Sequence, residues 1–216
     1  MDSKFLYEPV NPFKVGQRFG QNLACIDNTT GKVFSKNRSD TPCPPNSRSV
    51  YGPGGHSGID VAAKRWQPVY AAHDGEVIEV STEEARGLGI GLVTKEKYYS
   101  NETGSMELWK SRYWHLIALN VHMGETVRAG DLLGYADSTG MSSGDHLHFE
   151  VKIVRKDENG TYYNVLQNNE TYGAVDPLPH MLPIFAVHIS TLRAALEKLS
   201  ILLDQLSDWV RGTKSA

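Results

Sequence analysis

Cysteine is scarce in this chain. Of 216 residues only Cys25 and Cys43 carry thiols. Neither lies in a Cys-x-x-Cys pattern, which removes that form of metal or redox site from consideration. No apolar run is long enough to span a bilayer. The start, Met1 to Pro9, has neither the basic nor the apolar segment of a secretory leader. A surplus of basic charge is also missing: the formal net charge is −3, which argues against nucleic acid as a partner, because that needs a concentrated basic face. No basic tail is present for a wall or membrane surface. What the chain does have is an ordinary apolar fraction, 40% before its 20 glycines are counted, enough to bury a sizeable core. The length fits one domain with an appendage, or two small units.

The two cysteines flank a polar stretch that includes Asn28–Gly31 and Asn37–Asp40. Two readings stand: unrelated thiols, or a disulfide whose loop closure removes roughly 3 kcal/mol of unfolded-state entropy. The Asn-x-Ser/Thr triplets at Asn28, Asn37, Asn101, Asn159 and Asn169 read as loop composition.

From about residue 12 to 180 the chain reads as short β-strands cut by glycines, with apolar or half-apolar runs at 68–72, 75–81, 90–99, 106–115, 132–136, 146–155 and 162–166. Ser100–Gly104 and Asp157–Gly160 are hairpin turns, the second with an Asn-Gly signal. The expected fold is mainly β, an antiparallel sandwich or barrel-like domain. The texture changes after Pro183. Ile189, Leu192, Leu196, Leu199, Leu203, Leu206 and Val210 recur at alternating three- and four-residue steps, the seam of a heptad-patterned amphipathic helix. Ala195, Leu202 and Trp209 widen that seam. Two units follow, residues 1–182 and a C-terminal helix within 183–216. The helix either docks on the domain's own sheet or serves a homo-oligomer or partner through residues 184–212.

Chemistry concentrates in three places. In His146–Val151 the period-two alternation of a strand puts His146, His148 and Glu150 on one face and Leu147, Phe149 and Val151 on the other. In Gly54–Val61, His56 and Asp60 are four residues apart; fully extended they are roughly 13 Å apart, so they share an ion only if the chain curls at Ser57–Gly58. His115 ends the aromatic run Tyr113–Trp114, where a lone histidine is ordinarily a satisfied core residue. A catalytic zinc site wants three protein ligands and an open position, and spacing alone leaves open which histidines ligate.

Gly55–Val61, Pro68–Val77, Tyr113–Leu116, Gly124–Asp131, Ser138–Gly140 and His146–Val151 occur in an order that resembles the lysostaphin-type zinc metallopeptidases, which cut peptide bonds of bacterial peptidoglycan. The resemblance covers about residues 12–180. It implies Zn2+ held by His56, Asp60 and His148, and catalytic roles for His146 and His115, with Tyr51 the nearest match to a further tyrosine. A zinc ion polarises a scissile carbonyl and acidifies water; one histidine then takes up the proton and another donates to the oxyanion. His146 is favoured as the base, with the two roles exchangeable. A catalytically silent wall-binding or activating module is the alternative.

Departures from the family pattern are Asp145, where proline is usual, a longer loop between Gly20 and His56, and long hairpins near residues 100 and 159. These loops are expected to wall the groove, which Tyr98, Tyr99, Trp109 and Trp114 either line or leave for the core. His73, His122, His180 and His188 match no ligand position, and Gly87–Gly91 is no phosphate loop because no helix follows it. Without a leader, the expectation is an enzyme acting at the cell wall that is virion-associated, for instance in a phage tail, or released by another route.

Overall fold

The structure is a computed structural model that describes residues 3–35, 43–83, 87–167 and 169–213. The Asn37 triplet lies outside the described residues, as do the side chains of Trp209 and Val210.

The main sheet runs in the order Thr126–Val127, Gly75–Glu83, Gly87–Thr94, Ser105–Leu119, His146–Lys156, Ile59–Ala62 and Val15–Gln17. Each of these neighbours is antiparallel, and the sheet stays open at both edges. The hairpin turns near residues 100 and 159 form where Asn, Asp and Gly supply turn dihedrals, joining Tyr98–Ser100 to the long strand and His146–Lys156 to Tyr162–Asn164. Gly87–Thr94 is a strand throughout, so its glycines form no loop. Among the described residues one pair runs parallel: Leu6–Glu8 beside Met181–Phe185, which ties the start of the described chain to the segment before the helix.

Ser105–Leu119 organises the rest. Its first part lies between Gly87–Thr94 and His146–Lys156; beyond Trp114 it leaves the latter and pairs with Leu132–Ala136 instead. The switch falls at a β-bulge centred on His115, whose φ is 64°. Leu147, Phe149, Val151 and Ile153 pack with Ile59, Val61, Leu133 and Leu116 in one core. The opposite face of the sheet is polar and forms the floor of a cleft.

A second, three-stranded sheet (Ala24–Asp27, Val33–Ser35, Ser47–Ser49) fills the long loop before His56. Cys25 and Cys43 are joined as a disulfide within it, which decides between the two readings of these thiols. The Asn28 triplet sits in its turns, where Asn28 Oδ1 accepts from Arg48 at 2.6 Å.

The helix spans Ala186–Thr213. It is not docked along the sheet: Leu192, Leu196, Leu199, Leu203 and Leu206 are each more than half exposed. Near its start Arg193 bonds Asp74 at 2.8 Å and the Ala129 carbonyl at 3.3 Å, and Glu197 meets Arg128 at 3.2 Å.

Candidate active site

The cleft over the polar face encloses about 740 Å³. Its floor is the face that strand alternation assigns to His146, His148, Glu150 and Lys152, with Arg112 and Trp114 on the neighbouring strand. One wall is the disulfide-bonded small sheet, which contributes Leu23 and Val33; Tyr51, Met141 and Tyr172 complete the rim.

His56 enters on a tight turn. Gly55 has φ 76°, and a Cβ there would stand 2.3 Å from the Gly20 carbonyl oxygen. The turn is fixed by His56 N–H donating to Gln21 O and Gly20 N–H donating to His56 O. Gly58 has a different duty: a side chain would meet the Phe149 carbonyl at 2.5 Å and the His148 ring at 3.0 Å. Its absence lets Ile59–Ala62 pair with His146–Lys156 so that Asp60 stands opposite His148.

Three donor atoms converge. His56 Nε2 is 2.9 Å from His148 Nδ1 and 3.1 Å from Asp60 Oδ1, and His148 Nδ1 is 3.1 Å from the same carboxylate oxygen. Ligand atoms bound at zinc distances in a tetrahedron lie about 3.3 Å apart, so this triad fits a zinc-sized ion with little adjustment. The back of each imidazole is held: His56 Nδ1 faces the Arg18 carbonyl at 3.3 Å, and His148 Nε2 faces Glu150 at 3.9 Å. Such outer partners orient metal-binding histidines. Glu150 is itself gripped by Arg112 at 3.1 Å and Lys152 at 3.2 Å, and Arg112 reaches on to Glu79. Burial opposes ionisation of Glu150, yet His148, Lys152 and Arg112 hold its carboxyl well below the usual range.

The electrostatics suit a cation. Burial alone raises the Asp60 carboxyl; hydrogen bonds from His146, His148 and His56 overcome that and hold it far below the normal carboxylate range. Burial likewise disfavours charge on His148, but Asp60 and Glu150 raise it to about 9. His146 is raised too, with Asp60 outweighing its burial.

His146 and His115 stand beside the triad. His146 Nε2 is 3.4 Å from Asp60 Oδ1, while its Nδ1 is 2.8 Å from the Gly144 carbonyl. A carbonyl can only accept, so Nδ1–H donates to it, and Nε2 is the nitrogen directed at the triad. His115 is anchored the same way, Nδ1 at 2.6 Å from Thr139 O, and its ring centre is 4.7 Å from that of His146. Burial pushes His115 down to about 4. Strict alternation would put it beside Tyr113 in the core; the bulge lets Trp114 and His115 both face the cleft while Tyr113 and Leu116 are buried.

Tyr51 lies on the cleft wall, its ring edge-on to His56 with centres 5.3 Å apart and its hydroxyl 3.3 Å from Gln17 Oε1. Of the four aromatics expected to line the groove or the core, Trp114 lines the groove. Trp109 and Tyr98 pack with Phe5, and Tyr99 is exposed away from the cleft. Asp145 is exposed and does not line the cleft. The four unassigned histidines are elsewhere: His73 is buried against Ser111 at 2.7 Å, His122 pairs with Glu125, His180 packs on Trp109, and His188 lies against Phe185. Leu23, Val33, Met141 and Tyr172 had no sequence signal, because only tertiary folding brings them to the rim.

The open β-sheet thus carries a His-Asp-His group able to hold a metal ion, with two more histidines at hand. Comparison makes the class specific. The chain belongs to Peptidase family M23, whose sequence pattern matches residues 54–165. It is 33% identical over 139 residues to the glycyl-glycine endopeptidase ALE-1 of Staphylococcus capitis, covering 61% of this chain and 32% of that protein. It is 36% identical over 98 residues to the peptidoglycan DD-endopeptidase ShyB of Vibrio cholerae, covering 45% and 20%. The catalytic domain of lysostaphin from Staphylococcus simulans superposes with a TM-score of 0.50 at 25% identity, covering 78% of this chain and 92% of that one. The chain thus spans a third or less of the length of these curated relatives.

Proposed function

We propose that this protein is a zinc-dependent endopeptidase that hydrolyses peptide bonds of bacterial peptidoglycan, in a cross-bridge or a stem peptide. The observation that carries the reading is the meeting of His56, Asp60 and His148 within hydrogen-bond distance of one another on the cleft floor, with His146 and His115 beside them. Zn2+ bound there supplies Lewis acidity toward the scissile carbonyl and an acidified water. His56 Nε2, Asp60 Oδ1 and His148 Nδ1 would hold it. His146, with Nε2 directed at the triad, takes the water's proton and passes it to the leaving amine. His115 faces His146 and supports the developing charge from the other side. Tyr51 is the further polar group on the wall, placed to contact the substrate near His56.

Digestion of purified peptidoglycan, followed by mass spectrometry of the fragments, tests this reading. The expected products carry new amino groups at one type of peptide bond, and they vanish when the metal is chelated. Binding without any new amino group would refute it. ALE-1 and ShyB carry names for different bonds, so the products also decide which bond is cut.

The helix supports a second element of the proposal, self-association or incorporation into a larger assembly such as a virion acting at the cell wall. Each of these leucines, a little over half exposed, leaves roughly 1–2 kcal/mol of burial unrealised, and a stripe this long seldom stays in water. Replacing both Leu196 and Leu203 by Glu is expected to convert an oligomer to a monomer in light scattering, with peptidase activity on a soluble peptide retained. A wild-type monomer without a partner would remove this element.

A further inference from the structure

Trp66 is held in a conformation that bulky residues rarely adopt. Its φ is 65°, the left-handed region that glycine enters freely and a β-carbon resists. The turn is nonetheless firmly closed. Trp66 N–H donates to the Ala136 carbonyl, Gln67 N–H to the Lys64 carbonyl, and Ala136 N–H to the Gln67 carbonyl, each at 2.9 Å. Gln67 Oε1 also accepts from Lys64 N–H at 2.9 Å. The strained backbone does not bury the indole, since Trp66 is 55% exposed. The turn's hydrogen bonds hold the dihedral, yet the indole it carries is left facing solvent, and strained residues of this kind gather at binding sites.

The surroundings say what the ring is for. Tyr135 lies beside it, ring centres 5.7 Å apart at 59°, giving a two-ring aromatic surface. Next to it Arg65 Nε bonds Asp137 Oδ1 at 3.2 Å, with Arg65 60% exposed. An aromatic face bordered by a guanidinium and a carboxylate matches a sugar ring. The C–H face of a pyranose packs on indole, while its hydroxyl and acetamido groups find a fork of donors and an acceptor. The patch adjoins the catalytic cleft: Asp137 N–H donates to the His115 carbonyl at 2.8 Å, and the Asp137 carbonyl accepts from His146 N–H at 3.2 Å. Trp66 and Tyr135 are absent from the cleft lining itself, so a ligand here would leave the cleft free for a peptide.

We propose that Trp66 and Tyr135, with the Arg65–Asp137 pair, form a saccharide subsite that holds a glycan strand of N-acetylated hexoses beside the peptide being cut. The proposal rests on peptidoglycan being the substrate, and it assigns a separate surface to the sugar part.

The test uses the full chain, a soluble tetramer of N-acetylglucosamine and peptide-free glycan strands as probes. Titration is followed by calorimetry and by Trp fluorescence. Trp66→Gly relieves the strained dihedral, so its Tm is expected to equal or exceed that of the wild type, while affinity for the glycan falls about tenfold or more. Tyr135→Ala is expected to weaken binding in the same direction. On intact cell-wall sacculi KM rises for Trp66→Gly, whereas kcat on a short soluble peptide is unchanged. Failure of the wild type to bind either glycan, or equal binding by wild type and Trp66→Gly, overturns the subsite. Glycan binding without hydrolysis of any wall peptide leaves the subsite standing and overturns the peptidase reading instead, so the two failures are distinguishable.

Discussion

His146→Ala is expected to retain about one zinc ion per chain and lose its peptidase activity by roughly 10²–10⁴-fold, the span of general acid–base catalysis. The reasoning is geometric. His146 Nε2 stands 3.4 Å from the Asp60 oxygen that faces the triad, yet the three converging donors are complete without it. On the proposed reading, removing the ring takes away a proton carrier and leaves the three metal-holding groups in place. Its anchor at Gly144 O fixes the tautomer, so His146→Gln, which fills much of the space without a titrating nitrogen, should be nearly as inactive. Metal content by mass spectrometry beside hydrolysis of a defined peptide checks both halves. Zinc lost in His146→Ala, or activity undiminished, would reassign the residue.

His148→Ala should behave differently: metal is lost first and activity follows it. His148 contributes Nδ1 to the triad and is backed by Glu150, which Arg112 and Lys152 hold in turn. Deleting the ring removes a proposed ligand, takes one of three imidazole partners from Asp60 and the imidazole from Glu150, and a buried carboxylate stripped of a partner is costly. The expected result is zinc content near background, activity equal to that of chelated wild type, and a lower Tm. Zinc at wild-type stoichiometry in this variant would remove His148 from the ligand set.

How much of this could be read beforehand depended on the kind of signal. The division of His146–Val151 into two faces follows from period two and appears in the structure: His146, His148 and Glu150 line the cleft while Leu147, Phe149 and Val151 join the core. The Asn-Gly hairpin at 159–160 was legible in the same local sense. The curl that joins His56 to Asp60 was legible as a requirement, while its cause was not, because the space at Gly55 and Gly58 is defined by Gly20 and Phe149, distant in sequence. His115 is the clearest limit. Counting along its strand assigns it to the core, and only the bulge reverses that. The helix was readable as a seam, but periodicity is blind to whether its stripe meets the chain's own sheet, and it does not. Trp66 gave no warning at all, since nothing in a sequence marks a tryptophan that will take a left-handed dihedral.

The bulge at His115 also couples two properties that are usually separate. Tyr113 and Leu116 are wedged into the interior on either side of a pair of residues that point outward. The imidazole is thus mounted on a hinge whose two leaves are part of the hydrophobic packing. Loosening of that packing is expected to displace the imidazole, so turnover should serve as a gauge of interior order, falling under mild heat or denaturant before the protein melts.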